Sequence, residues 1–196
     1  MVNKNRFNEQ ILSAIILLSS GIMSINLRSF RLRVRHRKTA MRAFLGALRK
    51  NPPKKLDQLA LKVEREVWKE ISCITCANCC KSMTPTYKLK DMQRISAHLG
   101  ITVQEFKDKW LYQEEGSRHW LNRSNPCQFL DMETNMCSIY EVRPLDCAGF
   151  PHFTRPKMEE YVPMHKQNIE FCPATYRMVE KMMEKFKGTV HLKQLK

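Results

Sequence analysis

The sequence has no glycine-rich G-x-G-x-x-G fingerprint, no C-x3-C-x2-C run and no internal repeat. The first two absences leave it without a visible pocket of its own for a dinucleotide or a radical cofactor. It also lacks the extreme composition of collagen, mucin stalks or disordered chains. Hydrophobic residues make up 43% and charged residues 27%, which is a globular balance. Eight cysteines among 196 residues are too sparse for a secreted disulfide scaffold. A thioredoxin-like C-x-x-C would need a βαβ setting, and the pattern offers none.

Acidic residues are missing from one end. Residues 1–56 hold 13 Lys and Arg against Glu9 alone, a charge of +12, whereas 57–196 hold 21 bases and 18 acids, only +3. The overall charge of +15 therefore belongs to a basic N-terminal arm, taken as 1–55, and not to the cysteine-bearing part. Within the arm, 11–27 (ILSAIILLSSGIMSINL) is uncharged but short for a membrane span and diluted by serines. It reads first as an over-long start, with Met23 or Met41 as the alternative beginning, and next as a membrane or interfacial anchor. A secretory signal comes last, for want of an A-x-A cleavage site. Were the stretch an anchor, the eleven bases from Arg28 to Lys55 would place the following domain in the cytoplasm. A cytoplasmic location is the expectation, and in a reducing compartment clustered thiols are metal ligands or catalytic groups rather than disulfides. The next segment, SFRLRVRHR, alternates Phe30, Leu32 and Val34 with basic residues. It reads as a solvated basic linker, ahead of an edge strand or a tail on phosphate or lipid headgroups.

Asn51-Pro52-Pro53 breaks the chain, because proline lacks an amide donor and turns its predecessor away from helix. Beyond it, Leu56, Leu59, Ala60, Val63, Val67 and Ile71 recur at helical spacing and predict an amphipathic helix leading to Cys73. A shorter helix is predicted over 89–99, closed by Gly100. Another opens on the capping box Thr102-x-x-Glu105 and carries Val103, Phe106 and Trp110. Its acidic residues make ordinary packing, not DNA reading, the expectation. From Asn122 to Pro156 neither period persists, so something other than a regular ladder must hold the segment. A last helix starts near Cys172-Pro173 and presents Tyr176, Val179, Met182, Met183 and Phe186 to a core. The expected fold is mainly α: a small single domain, 56–188, with long irregular cysteine-rich loops organised around a metal centre, followed by a tail at 189–196.

The informative run is Cys73-x2-Cys76-x2-Cys79-Cys80, four thiols in eight positions. Sulfurs at two-residue gaps can turn the chain around one metal centre. Adjacent cysteines rarely both reach a single tetrahedral ion, so Cys79 and Cys80 argue for a polynuclear centre, or for one ligand beside a redox or supporting thiol. Cys127, Cys137, Cys147 and Cys172 each sit in turn-forming context, the first three at ten-residue intervals.

These stretches, with PCQFLD at 126–131 and CSIYEVRPLDCAGFP at 137–151, closely resemble the CxxCxxCC family of zinc- or iron-chelating proteins, the YkgJ-type cysteine-cluster proteins. The resemblance covers about 70–175 and leaves the arm outside. It implies Cys73, Cys76, Cys79, Cys80, Cys127, Cys137 and Cys147 as metal ligands, with Cys172, in a less constant part of the pattern, as the weakest. Some relatives are flagellin lysine methylases, so it also implies a metal-dependent modifying enzyme as an alternative. The chain departs from the pattern at Ala77-Asn78, where a glycine often stands, and this bears on the tightness of that turn.

The expected function is a metal-binding protein holding an iron–sulfur cluster or Zn2+. Iron–sulfur is favoured because Cys79-Cys80 and the surplus of thiols fit a cluster more easily than one ion. Around the sulfurs, Tyr140 and Phe150 are expected as dry walls. Arg143 is expected to bond Asp131 or Asp146 ahead of facing an anionic centre. His119, His152 and His165 are expected at the surface or behind the ligands. No catalytic residue and no small-molecule substrate is identifiable. The partner is an unknown protein, or nucleic acid or anionic lipid touching the basic arm.

Overall fold

The computed structural model describes residues 25–186. The apolar stretch up to residue 24 and the tail at 189–196 lie outside the described residues. The chain runs through α1 (Leu27–Lys50), α2 (Leu56–Val67), the single-turn α3 (Cys73–Cys76) and α4 (Asn78–Ser82). Then follow β1 (Thr86–Tyr87), α5 (Leu89–Leu99), α6 (Val103–Trp110), β2 (Leu111–Gln113) and β3 (Trp120–Asn122). After a 3-10 turn at Tyr140–Val142 come α7 (Leu145–Gly149), α8 (Val162–Phe171) and α9 (Pro173–Phe186). The fold is mainly α, and no helix among the described residues is long and apolar enough to cross a membrane.

Helix α1 opens on Asn26, whose side chain accepts the Ser29 N–H at 2.9 Å and satisfies one orphan donor. It buries Phe30, Val34, Met41, Phe44, Leu45 and Leu48, an apolar stripe at helical spacing. The expected linker, edge strand or tail at this point is therefore overturned. Phe30 and Val34, one turn apart, are buried while the intervening Leu32 is 49% exposed, the reverse of what a strand would do. Nor is the segment an arm apart from the domain. It packs on α8 and α9, and Arg37 pairs with Glu180 while Lys38 and Arg42 reach Glu170 at 3.2 and 3.4 Å.

The stripe of α1 meets Leu56, Ala60, Val63 and Val67 of α2, Val162 and Ile169 of α8, and Tyr176, Met178, Val179 and Met182 of α9 in one core. Helix α8 carries no clean stripe, because His165 and Asn168 are buried beside its apolar residues. A second, smaller core joins Met92 and Ile95 of α5, Phe106 of α6, Tyr87, Leu111, Phe129 and Ile139. Gly100 closes α5 at φ 69°, and Thr102 and Glu105 form the reciprocal cap of α6. The three short strands make one antiparallel sheet in the order β1-β3-β2, with Tyr87 opposite Trp120 and Leu111 opposite Asn122. Cys172 belongs to the first core, and Cys127 and Cys137 pack against the second.

Candidate metal centre

A single reversal sets the first four thiols. Helix α3 ends where Ala77 takes φ 46°, in the left-handed region, with its N–H on the Cys73 carbonyl at 3.0 Å. This is the position where glycine is the cheaper residue, since a Cβ in left-handed backbone costs about 1 kcal/mol. The turn is tight despite the alanine. It restarts the chain as α4, which carries Cys79 and Cys80. Asn78 fastens the reversal to the rest of the domain, donating from Nδ2 to the Phe171 carbonyl at 2.5 Å.

The later cysteines are tied back to this loop by backbone and polar side chains. The Cys127 N–H donates to the Cys80 carbonyl at 2.9 Å. Cys127 Sγ accepts from Asn122 Nδ2 at 3.4 Å, and the buried Asn122 is itself oriented by Tyr87 Oη at 2.6 Å. Leu130 and Cys137 form an antiparallel bridge. The turn into α7, which carries Cys147, is clamped by Asp91, only 1% exposed. Its carboxylate accepts the Leu145 N–H at 3.1 Å and Arg94 Nη2 at 2.8 Å, while Arg94 also donates to the Arg143 carbonyl at 2.8 Å.

Between the two cores lies a cavity of about 720 Å³, and Cys73, Cys79, Cys80, Cys127, Cys137 and Cys147 line it. Cys76 and Cys172 stand behind this wall, within electrostatic reach of each other. All eight are free thiols. The sulfurs of Cys79 and Cys80 are 3.9 Å apart. Among the described residues no three Cys, His, Asp or Glu side chains stand close enough to grip one ion as they are placed. The thiols face a shared space without converging on a point.

Burial sets their protonation. It pushes Cys137 up to about 11 and raises Cys76, Cys127, Cys147 and Cys172; Cys73 is raised in the same direction by the groups crowding its sulfur, although the residue as a whole is exposed. Cys79 rises chiefly through its contact with Cys80, and the same contact brings Cys80 down to about 7. Without a cation the set is mostly protonated; a divalent ion among the sulfurs inverts that preference. The donor set fits such an ion. Backbone N–H groups two residues on serve Cys76 (from Asn78), Cys127 (Phe129), Cys137 (Ile139) and Cys172 (Ala174), each favouring the thiolate. Soft thiolates with amide donors suit zinc or iron far better than calcium or magnesium.

The surrounding residues differ in part from expectation. Tyr140 and Phe150 do line the cavity. Arg143 bonds neither Asp131 nor Asp146. Asp146 is taken by the Thr86 N–H at 3.0 Å and by His152 Nε2 at 3.0 Å, and Asp131 caps Glu133 and Thr134. Arg143 instead donates to the Tyr140 carbonyl at 2.6 Å and stacks over the Tyr140 ring, with its charge directed at Cys73 and Cys137. His165 is not at the surface and does not line the cavity: it is fully buried against Phe153, with both ring nitrogens lacking a partner. His152 lines the cavity and His119 is exposed. Asn122, Asp91 and Arg94 carry the geometry of the site, and no spacing rule pointed to them.

Among curated proteins, an uncharacterised protein of Methanocaldococcus jannaschii is 36% identical over 81 residues, which is 41% of this chain and 43% of that relative. The match spans less than half of the relative's length. No solved structure matches the chain. The CxxCxxCC family model, described as "Putative zinc- or iron-chelating domain", matches residues 72–174, more than half of the chain and every one of its eight cysteines. By the span of that match, with six of its thiols gathered on one cavity, the chain belongs to the CxxCxxCC family.

Proposed function

We infer that this is a cytoplasmic protein whose cysteines hold an iron–sulfur cluster, with Zn2+ as the competing occupant. One observation carries the reading: six thiols from five separate segments line a single cavity of about 720 Å³. That space exceeds the need of one tetrahedral ion, and the adjacent Cys79 and Cys80 both face it. The residues supporting the sulfurs are amide donors and apolar walls, which limit water and stabilise thiolate charge. When bound, the metal group would supply cross-links between loops that have almost no ladder of their own, so its binding energy is folding energy. The test is anaerobic purification followed by metal and acid-labile sulfide analysis with a visible spectrum. Broad absorption near roughly 400 nm with sulfide supports iron–sulfur; a colourless protein with stoichiometric zinc removes that preference, and a metal-free protein removes the function.

A second reading is a metal-dependent modifying enzyme related to flagellin lysine methylases. The size of the cavity favours it, since it falls in the range of small-molecule sites, roughly 300–1,000 Å³. Binding of S-adenosylmethionine to the metal-loaded protein separates this from plain chelation. The exposed Arg28, Arg31, Arg35, Arg49 and Lys50 of α1 form a basic face that suits nucleic acid or anionic lipid. Contact there would weaken steeply with salt.

A further inference from the structure

The eight cysteines do not all share one space. Behind the large cavity is a small void of about 20 Å³, lined by Cys73, Cys76, Cys79 and Cys172, with Phe150 and Phe171 beside them. Its volume matches one water-sized particle and excludes an eight-atom iron–sulfur cube. The four sulfurs come from the α3–α4 reversal and from the start of α9. Cys172 precedes Pro173, and its Sγ accepts the Thr175 N–H at 3.4 Å. Asn78, by gripping the Phe171 carbonyl, holds the two halves of this void together.

The other four cysteines form a set of their own. Cys80, Cys127, Cys137 and Cys147 line the large cavity and not the small void. Cys127 is hydrogen-bonded to the Cys80 backbone, and Cys147 is in electrostatic reach of Cys80, Cys127 and Cys137. The vicinal pair thus differs: Cys79 borders both spaces, Cys80 the large cavity and not the void, and their sulfurs are 3.9 Å apart. That division answers why two adjacent cysteines are needed when one ion rarely takes both.

We propose that the chain carries two adjoining four-sulfur centres, one for a single Zn2+ or Fe2+ at Cys73, Cys76, Cys79 and Cys172, and a second at Cys80, Cys127, Cys137 and Cys147 that faces the large cavity. The first centre is structural, joining the reversal to α9. The second is the one any exchangeable cluster or ligand meets. The inference rests on the chelation reading and refines it.

The test uses Co2+ as a probe on the reduced full-length chain under anaerobic conditions. Two equivalents are expected, both with sulfur-to-metal charge-transfer absorption. The pair variant C76S/C172S is expected to keep one equivalent, and C127S/C147S also one. A single equivalent in the parent, or loss of all binding in both pair variants with their helical circular dichroism intact, overturns the proposal while leaving chelation itself standing. A parent chain that takes up no metal at all overturns both. Because either pair variant could misfold, the unaltered loaded chain is also treated with a chelator and an alkylating reagent. Cys80, Cys127, Cys137 and Cys147 are expected to be labelled together in one phase, and Cys73, Cys76, Cys79 and Cys172 together in another. Labelling of all eight in one phase contradicts two centres.

Discussion

The side-chain amide of Asn78 donates to the carbonyl of Phe171 at 2.5 Å, joining the loop of the first four cysteines to the residue just before Cys172. Ninety-three positions separate the two residues. Asn78→Ala is expected to cost about 1 kcal/mol in unfolding free energy, the usual net worth of such a bond. It should also speed metal loss in a chelator competition, since the partner carbonyl no longer fixes the distance between the segments. Equal chelator kinetics in parent and variant would remove Asn78 from the site.

Ala77 makes the reversal possible at φ 46°. Ala77→Gly is expected to stay within about 1 kcal/mol of the parent, relieved strain offsetting lost rigidity. Ala77→Val should lose about 2 kcal/mol, because a β-branched residue resists left-handed backbone. Denaturant titration of the metal-loaded proteins ranks them. Valine no worse than glycine would contradict the assigned turn.

Asp91 positions Cys147 from a distance. Asp91→Ala removes the acceptor of the Leu145 N–H and the partner of Arg94, and is expected to cost about 2–3 kcal/mol. The thiol of Cys147 should then alkylate faster in the metal-free protein while Cys76 does not change. Uniform acceleration at all cysteines would indicate general loosening instead.

His165 gives the pH dependence. It is fully buried with unpartnered nitrogens, and burial, aided by the charge of His152, lowers its pKa to about 4. Between its unfolded value of about 6.5 and the folded value, the unfolded chain binds a proton that the folded chain refuses. Stability from this residue is therefore full above about pH 6.5 and falls as pH drops through that window, by on the order of 3 kcal/mol at pH 4. His165→Leu should flatten this component. Unfolding curves of parent and variant at pH 7, 5.5 and 4 check it, and parallel losses in both would refute the assignment.

Much of the helical frame is legible in the residues. Leu56, Ala60, Val63 and Val67, the Thr102–Glu105 cap and Pro173 each obey a local rule that packing did not override. Helix α1 was obscured because Phe30, Leu32 and Val34 satisfy period two over five residues; Met41, Leu45 and Leu48 settle the longer period. Helix α8 gave no stripe, its inward face including His165 and Asn168. Strands of two or three residues are too short for alternation to register. At the site, cysteine spacing singled out the thiols, six of which line the cavity, whereas the partner of Arg143 could not be read, because Asp146 is held by Thr86 from a distant strand. The burial of Cys172 beside Cys73 and Cys76 likewise depends on tertiary packing alone.

In the proposed centre, sulfur alone surrounds the metal. X-ray absorption at the edge of the metal that co-purifies anaerobically tests it most directly. A first shell of four sulfurs at roughly 2.3 Å is the expected result. A shell dominated by nitrogen or oxygen, or a metal content that persists after all eight cysteines are alkylated, would contradict it.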